Sequence, residues 1–555
     1  MSGSYLRGFG TRATPQSEPI PGSDQVENSA GGHAWDVGDW ERLSRFLILG
    51  AEGGSYYAGE QRLVADNATA VLRCVQADGG RAVDTIVDIS VGGRAPKNSP
   101  AIFALAIAAA HGDDRTRAAA LDALPAVCRT GTHLFEFAGY VEQFRGWGRG
   151  LRRAVAGWYQ REDVDALAYQ LVKYRQRGGW THGDLLRLAH PEPPTAAHAA
   201  LYRWTLGKYQ SGDGPLPAAV HAFNAAQRAP GPAETFEAIR RFGAALPREA
   251  LQTEHLNDPV VWDALLDAGM PMTALIRNLA TMTRVGLLTP TAAATQKVIE
   301  QLADRDRLRR ARVHPVTVLA AMLTYASGRS ARGAATWTPL GRIVDALDDA
   351  FYDAFDHLEP TGKRWLIGLD VSGSMDMGVV AGVPGLTPRI AAAAMAMTVM
   401  RAGDPYEVVA FTGGGGGGWY SRGTQRAEDL TVLPLSARQR LDDICGQVRG
   451  LPFGGTDCAL PMLYATQKAR EVDCFAVYTD SETWAGSVHP AQALREYRRA
   501  NGIDARLVVV GMVANEFTIA DPNDAGMLDV VGFDTAAPNV IADFARAERN
   551  GGSTS

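Results

Sequence analysis

The sequence predicts a multidomain chain: an all-α run of stacked helical hairpins, then a doubly wound α/β domain. Three observations carry this. From about Asp39 to Leu358, apolar residues recur three and four apart, and Gly, Pro and Asp punctuate the connectors. After Pro360, strand-like apolar runs alternate with helical stretches. Three loops at or near the ends of those predicted strands carry small oxygen-bearing side chains. A length of 555 residues accommodates this division. With 46% hydrophobic and 21% charged residues, the chain is neither fibrous nor disordered throughout. A net charge of -6 excludes a polycation, so any nucleic-acid partner must use a local basic patch.

In chain order, residues 1–34 are rich in Gly, Ser, Pro and Glu without periodicity and are expected to form a disordered tail. Residues 35–362 form the helical part. After an amphipathic opening at Arg42, Phe46 and Leu47, helices are expected over 60–75, 99–110, 117–127, 151–159, 164–175, 183–188, 217–225, 236–242, 259–266, 272–281, 291–303, 314–325 and 340–358. Short helices joined by short connectors suggest a HEAT-like solenoid. Residues 363–550 form the α/β part. Its strands are expected at 364–370, 406–412, 474–479 and 505–513, and its helices at 389–401, 436–451, 457–470 and 489–500. Six glycines, 413–418, follow Phe411-Thr412 and are entropically costly to order, which predicts a mobile loop.

Cys74, Cys128, Cys445, Cys458 and Cys474 are odd in number and show no CxxC spacing, as expected of thiols in a reducing compartment. The N-terminus lacks an apolar signal core, and the longest apolar runs, 101–110 and 390–400, fall short of the about 20 residues a membrane helix needs. A cytoplasmic protein without membrane association is expected. Residues 363–555 hold 17 Lys+Arg against 22 Asp+Glu, leaving 38 against 39 in the remainder.

The three loops are Asp370-Val-Ser372-Gly-Ser374, Gly454-Gly455-Thr456-Asp457 and Thr479-Asp480-Ser481. Hydroxyls and carboxylates are hard donors that suit Mg²⁺ or Mn²⁺ rather than Zn²⁺. Ser372 and Ser374, two apart on a turn, can face one ion, and Thr456 can bind from the far side. Asp370 and Asp480 supply negative charge, directly or through water. The same residue types also cap helices.

Between Phe144 and His190 lie nine cations, Arg145, Arg149, Arg152, Arg153, Arg161, Lys173, Arg175, Arg177 and Arg187, against four acids. Trp147, Trp158, Tyr159, Tyr174 and Trp180 interleave with them. Arginine pairs with phosphate and aromatics stack unpaired bases, although such stretches are also common solvated faces. Lys173 and Arg177, four apart, are expected on one helix. The Gly178-Gly179 break then begins a second helix with Arg187 and His190.

The C-terminal part resembles a von Willebrand factor A domain with a metal-ion-dependent adhesion site, matched at Asp370, Ser372, Ser374, Thr456 and Asp480. That resemblance implies a metal ion with an open position completed by an acidic group of a partner, and binding rather than catalysis. The segments Glu52-Gly-Gly-Ser-Tyr-Tyr57, Lys173-Tyr-Arg-Gln-Arg177-Gly-Gly-Trp180, Asp184-Leu-Leu-Arg187-Leu-Ala-His190, Arg277-Asn278-Leu and Arg312-Val-His314-Pro315 resemble the Ro autoantigen family, as does Phe517-Thr-Ile-Ala-Asp-Pro522 near the end. The resemblance runs from about residue 36 to 547. It implies a TROVE ring of helical repeats followed by a von Willebrand A domain. It further implies small non-coding Y-like RNAs on the ring's outer face, at Lys173, Arg177 and His190. Single-stranded 3′ ends of structured or misfolded RNAs would enter the hole, and bacterial members resemble adaptors to the exoribonuclease polynucleotide phosphorylase. The short link at 359–363 suits a monomer whose ring closes with the A domain at its seam.

No GxxxxGK[ST], HExxH or GxSxG motif occurs, so a non-enzymatic protein is expected. Two alternatives stay open. One is a metal-dependent hydrolase or chelatase-type component using Asp370 and Asp480. The other is an adhesion-type protein-binding module without RNA.

Overall fold

The computed structural model describes residues 13–50, 60–160, 163–330, 334–354, 359–380, 383, 385–413, 429–451 and 454–547. The expectations for Glu52–Tyr57, Arg161, most of the glycine run, the end of the helix at 340–358 and the first twelve residues lie outside these.

The expected disordered tail fails from residue 13 onward. Strand β1, Val26–Glu27, pairs antiparallel with β2, His33–Asp36. Gln16 is fully buried, and Trp35 is 3% exposed. Composition missed this because the segment orders on a surface supplied hundreds of residues later.

Helices then follow one another from Asp39–Leu49 to Gly341–Asp353. Ser99–His111, apolar on all sides, is buried on nearly all sides. The periodicity passed over four helices, Gly79–Gly92, Gly131–Phe144, Ala196–Thr205 and Arg305–Arg310. Asp78 accepts from the Arg81 amide and starts the first despite its two leading glycines. Gly131 is required by packing, because a Cβ there would meet the His182 ring at 2.8 Å.

The helix expected over 164–175 is a second correction. It spans Val164–Lys173 and gives way to a hairpin of β3, Gln176–Arg177, and β4, Trp180–Thr181. Gly178 and Gly179 turn it with φ of 56° and 84°, the left-handed pair a two-residue hairpin needs. Lys173 and Arg177 therefore do not share a helix.

The α/β part has β5, Trp365–Asp370; β6, Tyr406–Phe411; β7, Leu430–Leu433; β8, Cys474–Thr479; β9, Arg506–Gly511; and β11, Met527–Val531. They form one sheet ordered β11-β9-β8-β5-β6-β7, parallel except for β7. β5, β8 and β9 are buried along their whole length, as central parallel strands are. Successive strands leave β5 in opposite directions, so the crevice at the carboxyl ends of β5 and β8 is a switch point. β10, Phe517–Thr518, pairs with β2 and ties the N-terminal segment to this domain.

The α/β domain holds both ends of the helical run. On the first helix, Arg45 is 1% exposed. Its Nη1 donates to the carbonyls of Asn515 (3.1 Å) and Phe517 (2.9 Å), and its Nη2 donates to both Asp529 oxygens (2.8 and 2.6 Å). Arg42 pairs with Glu516, and Arg94 with Asp534 at 2.6 Å. On the last helix, Asp348 accepts from Arg401 (2.9 Å) and from the Leu441 amide (2.8 Å). The ends also touch directly, for His314 Nε2 lies 3.0 Å from the Arg94 carbonyl oxygen. All five cysteines are buried and free. Among the described residues no helix is long and apolar enough to cross a membrane.

Arg45→Ala would take the cation from the Asp529 carboxylate, leaving it the Thr518 hydroxyl at 2.7 Å, and would strand two carbonyls at this join. A loss of about 3–5 kcal/mol is expected in chemical denaturation. Arg45→Lys should not restore it, since an ammonium cannot span both Asp529 and the two carbonyls.

Candidate metal centre and nucleic-acid face

β5 ends in Asp370, whose Oδ1 accepts from the Ser372 amide at 2.9 Å and turns the chain back. That turn brings Ser372 Oγ within 3.1 Å of Ser374 Oγ. The Gly373 amide donates to the Gly454 carbonyl (3.1 Å), which joins the first loop to the second. The Thr456 carbonyl accepts from the Trp484 (3.1 Å) and Ala485 (2.9 Å) amides, which joins the second to the third. Thr479 Oγ1 donates to Asp370 Oδ2 at 2.6 Å. Asp370, Ser372, Ser374, Thr456 and Asp480 are thus gathered at one point, each no more than 6% exposed.

Burial pushes the Asp370 carboxyl above its ordinary range. Burial, then the charge of Asp370, pushes Asp480 up to about 7. Neighbouring Glu482 is pushed up to about 8 by burial and by Asp480. Arg389, 1% exposed, is the cation that acts on Asp370, yet it also pairs with Asp376 at 2.9 Å. Two buried carboxyls beside three hydroxyls form an electron-rich pocket of hard donors. That chemistry fits a divalent cation such as Mg²⁺ or Mn²⁺, with the hydroxyls as ligands and the carboxylates as countercharge.

Sequence reasoning missed the residue that braces this crevice. Gln16 Nε2 donates to Asp457 Oδ1 (2.8 Å) and to the Val488 carbonyl (2.7 Å), while its Oε1 accepts from Thr483. Its amide donates to the Gly486 carbonyl at 2.9 Å. The second and third loops are therefore pinned by the N-terminal segment. Nothing local to Gln16 signals this, because these partners in the second and third loops lie more than 440 positions away.

The basic stretch divides. Trp158 and Tyr159 are fully buried: Trp158 Nε1 donates to the Cys128 carbonyl at 2.6 Å, and Tyr159 OH sits 2.7 Å from His182 Nδ1. They are core residues rather than stacking platforms. Trp147, Tyr174 and Trp180 are half-buried, with the two tryptophan rings 5.7 Å apart. Arg149, Arg152 and Arg153 are exposed along helix Arg149–Tyr159. Lys173 is half-buried, its ammonium 5.3 Å from the Tyr169 and Tyr174 rings, and burial lowers its pKa. Arg175 is exposed over the Phe223 ring at 4.9 Å. Arg177, on the hairpin, lies 3.6 Å from Glu136.

Beyond the hairpin, Thr181 caps helix His182–Ala189 in a reciprocal box with Asp184. Arg187 pairs with Asp184 at 3.2 Å. His190 does not continue that helix. It is its exposed C-cap, with φ 46°. A hairpin that carries Arg177 therefore separates Lys173, at the end of one helix, from Arg187 and His190 on and after the next, where the sequence pointed to two abutting helices.

Comparison with known proteins agrees with this architecture. A TROVE domain model matches residues 26–212 and 215–324, and a Ro60 vWA domain model matches 364–545. The chain is 43% identical to RNA-binding protein RO60 of Deinococcus radiodurans, across 98% of this chain and 99% of that one. It is 36% identical to the Caenorhabditis elegans protein of the same name, across 94% and 90%. The crystal structure of the D. radiodurans RO (RSR) protein superposes with a TM-score of 0.68 at 42% identity, covering 92% of this chain and 99% of that one. A TROVE domain followed by a Ro60-type von Willebrand A domain, matched along nearly the whole length, makes this chain a member of the Ro60 family.

Proposed function

We propose that this chain is an RNA-binding protein that positions RNA rather than cleaving it. The observation that carries the reading is the set of exposed guanidiniums of Arg149, Arg152, Arg153, Arg175, Arg177 and Arg187, with the exposed His190 imidazole, on the elements next to the β3–β4 hairpin, in a chain whose relatives are named RNA-binding proteins. Guanidiniums spread over a helix and a hairpin suit phosphates and the shape of a folded RNA better than a base code. The RNA is a small non-coding, Y-like stem-loop on the outer face, and single-stranded 3′ ends of misfolded or structured RNAs enter the ring. The protein acts as a cytoplasmic monomer that presents such RNA to an exoribonuclease of the polynucleotide phosphorylase type.

Ser372, Ser374 and Thr456 would hold Mg²⁺ or Mn²⁺, with Asp370 and Asp480 close by. When bound, the ion supplies an open, Lewis-acidic position for a carboxylate of a protein partner. The hydroxyl-rich donor set and the buried carboxyl pair support this reading. Here Asp370 and Asp480 serve as countercharge and not as a hydrolytic base.

Three outcomes are expected. Lys173→Ala with Arg177→Ala weakens binding of a folded stem-loop RNA and lowers the log-log salt slope by about 0.7–0.9 for each phosphate no longer neutralised. A short single strand changes much less, and no change for either RNA in filter binding would reduce this face to solvated surface. Asp370→Ala abolishes Mg²⁺ binding in calorimetry while the helical circular dichroism stays, and unchanged affinity would reject the site.

The third outcome is a pH dependence. In metal-free protein, Asp480 and Glu482 hold protons near pH 7 that they release on unfolding. The folded state then binds more protons at these two carboxyls, which makes stability fall as pH rises. His133, His182 and His314, held down at about 4 by burial, stay neutral when folded but take up protons when unfolded near pH 6.5, so they oppose the decline there and it emerges between about pH 7 and 8. Thermal melts with a chelator should show the decline, and Mg²⁺ should flatten it. A flat chelated profile would count against the buried-acid account.

A further inference from the structure

Between the first and last helical hairpins lies a cavity of about 190 Å³. Lys97 and Arg129 reach it from the first hairpins, and Arg277 and Arg312 from the last. Among the described residues that line it there is no carboxylate. His133 and His314 also line it, and burial holds both at about 4, so neither adds charge near neutrality. The wall therefore carries the guanidinium of Arg129 from the first hairpins opposite those of Arg277 and Arg312 from the last.

Arg129 is half-buried, and the groups that meet its Nη1 are neutral: Ser90 Oγ at 2.9 Å and the Ala126 carbonyl at 3.2 Å. Burial and the facing charge of Arg312 both disfavour its charged form. Arg312 stands in the left-handed region at φ 48°, unusual for a side chain of its size, with its stem against Gly93. Two helix N-termini add positive potential. Asn98 opens helix Ser99–His111 without a side-chain cap, and Thr317 lies in the first turn of Pro315–Ala326.

Like charges from opposite ends of a closed ring, in a half-buried cleft, repel unless an anion lies between them. We propose that this cavity is a binding site for a phosphate-class oxyanion, which links the first and last helical hairpins. Its volume, equal to about six waters, suits one phosphate group with residual water. Guanidiniums offer paired N–H donors to such oxygens, and the Thr317 hydroxyl offers a neutral one. The linkage reinforces the seam where His314 Nε2 already meets the Arg94 carbonyl. The phosphate is either free inorganic phosphate or a phosphate of a nucleic-acid strand within the ring, and the proposal does not depend on the outer RNA face.

The test is calorimetric titration of the full chain with sodium phosphate, against sodium chloride at matched ionic strength. Saturable one-site binding is expected. Arg129→Gln and Arg312→Gln should each weaken it by about tenfold or more. In chloride alone their thermal midpoints should hold or rise, because each removes an unneutralised like charge. A short oligouridylate titrated into phosphate-loaded protein separates the sources. Displacement of phosphate assigns the group to a nucleic acid, and undisturbed phosphate binding assigns it to the free ion. Absence of saturable phosphate binding, or binding undiminished in both variants, overturns the proposal.

Discussion

Arg45 sits on the first helix and directs its hydrogen bonds to the last third of the chain. Its guanidinium bridges Asp529 on β11 and two carbonyls of the segment that leads into β10. A solenoid needs capped ends, because its terminal hairpins would otherwise expose apolar faces. Here no polar capping repeat is used. The α/β domain takes the first helix through Arg42 and Arg45 and the last through Asp348, so one sheet domain serves as both caps. The contact between His314 and Arg94 depends on this grip, and so does the cleft it closes.

The candidate metal centre follows the same economy of construction. Its five side chains come from three loops that are far apart in sequence but adjacent at one switch point of the sheet. Each loop is fixed by main-chain hydrogen bonds to the next, so the hydroxyls are preset before any ion arrives. The carboxyls are held in an environment that disfavours their charge. A cation bound there would relieve that cost, a need that a helix cap made of the same residue types does not have.

Much of this was legible in the sequence. The strand ends at Asp370 and Thr479 follow from apolar runs that stop at oxygen-bearing side chains, and the serines two apart mark the turn. The helical hairpins follow from periodicity wherever apolar stripes are strong. The failures have particular causes. Gly79–Gly92 begins with residues that discourage helices and is rescued by the Asp78 cap. The Val164–Lys173 helix stops because Gly178 and Gly179 favour a hairpin over a helix break, a reading that the charge spacing of Lys173 and Arg177 obscured. Trp158 and Tyr159 looked like stacking rings because composition cannot tell a buried aromatic from an exposed one. Gln16 was invisible because its local sequence is that of a tail.

Gln16 also carries a temporal consequence. It leaves the ribosome more than 440 residues ahead of Asp457, Thr483 and Val488. At about 5–20 residues per second, the segment waits roughly 20 to 100 seconds for the groove it will occupy. During that interval its polar side chains are solvated and its two short strands lack the β10 edge they will join. The helical hairpins can assemble with their neighbours as they emerge. The strap and the loops it braces are completed only after those loops emerge, so the crevice reaches its final form well after the helical hairpins.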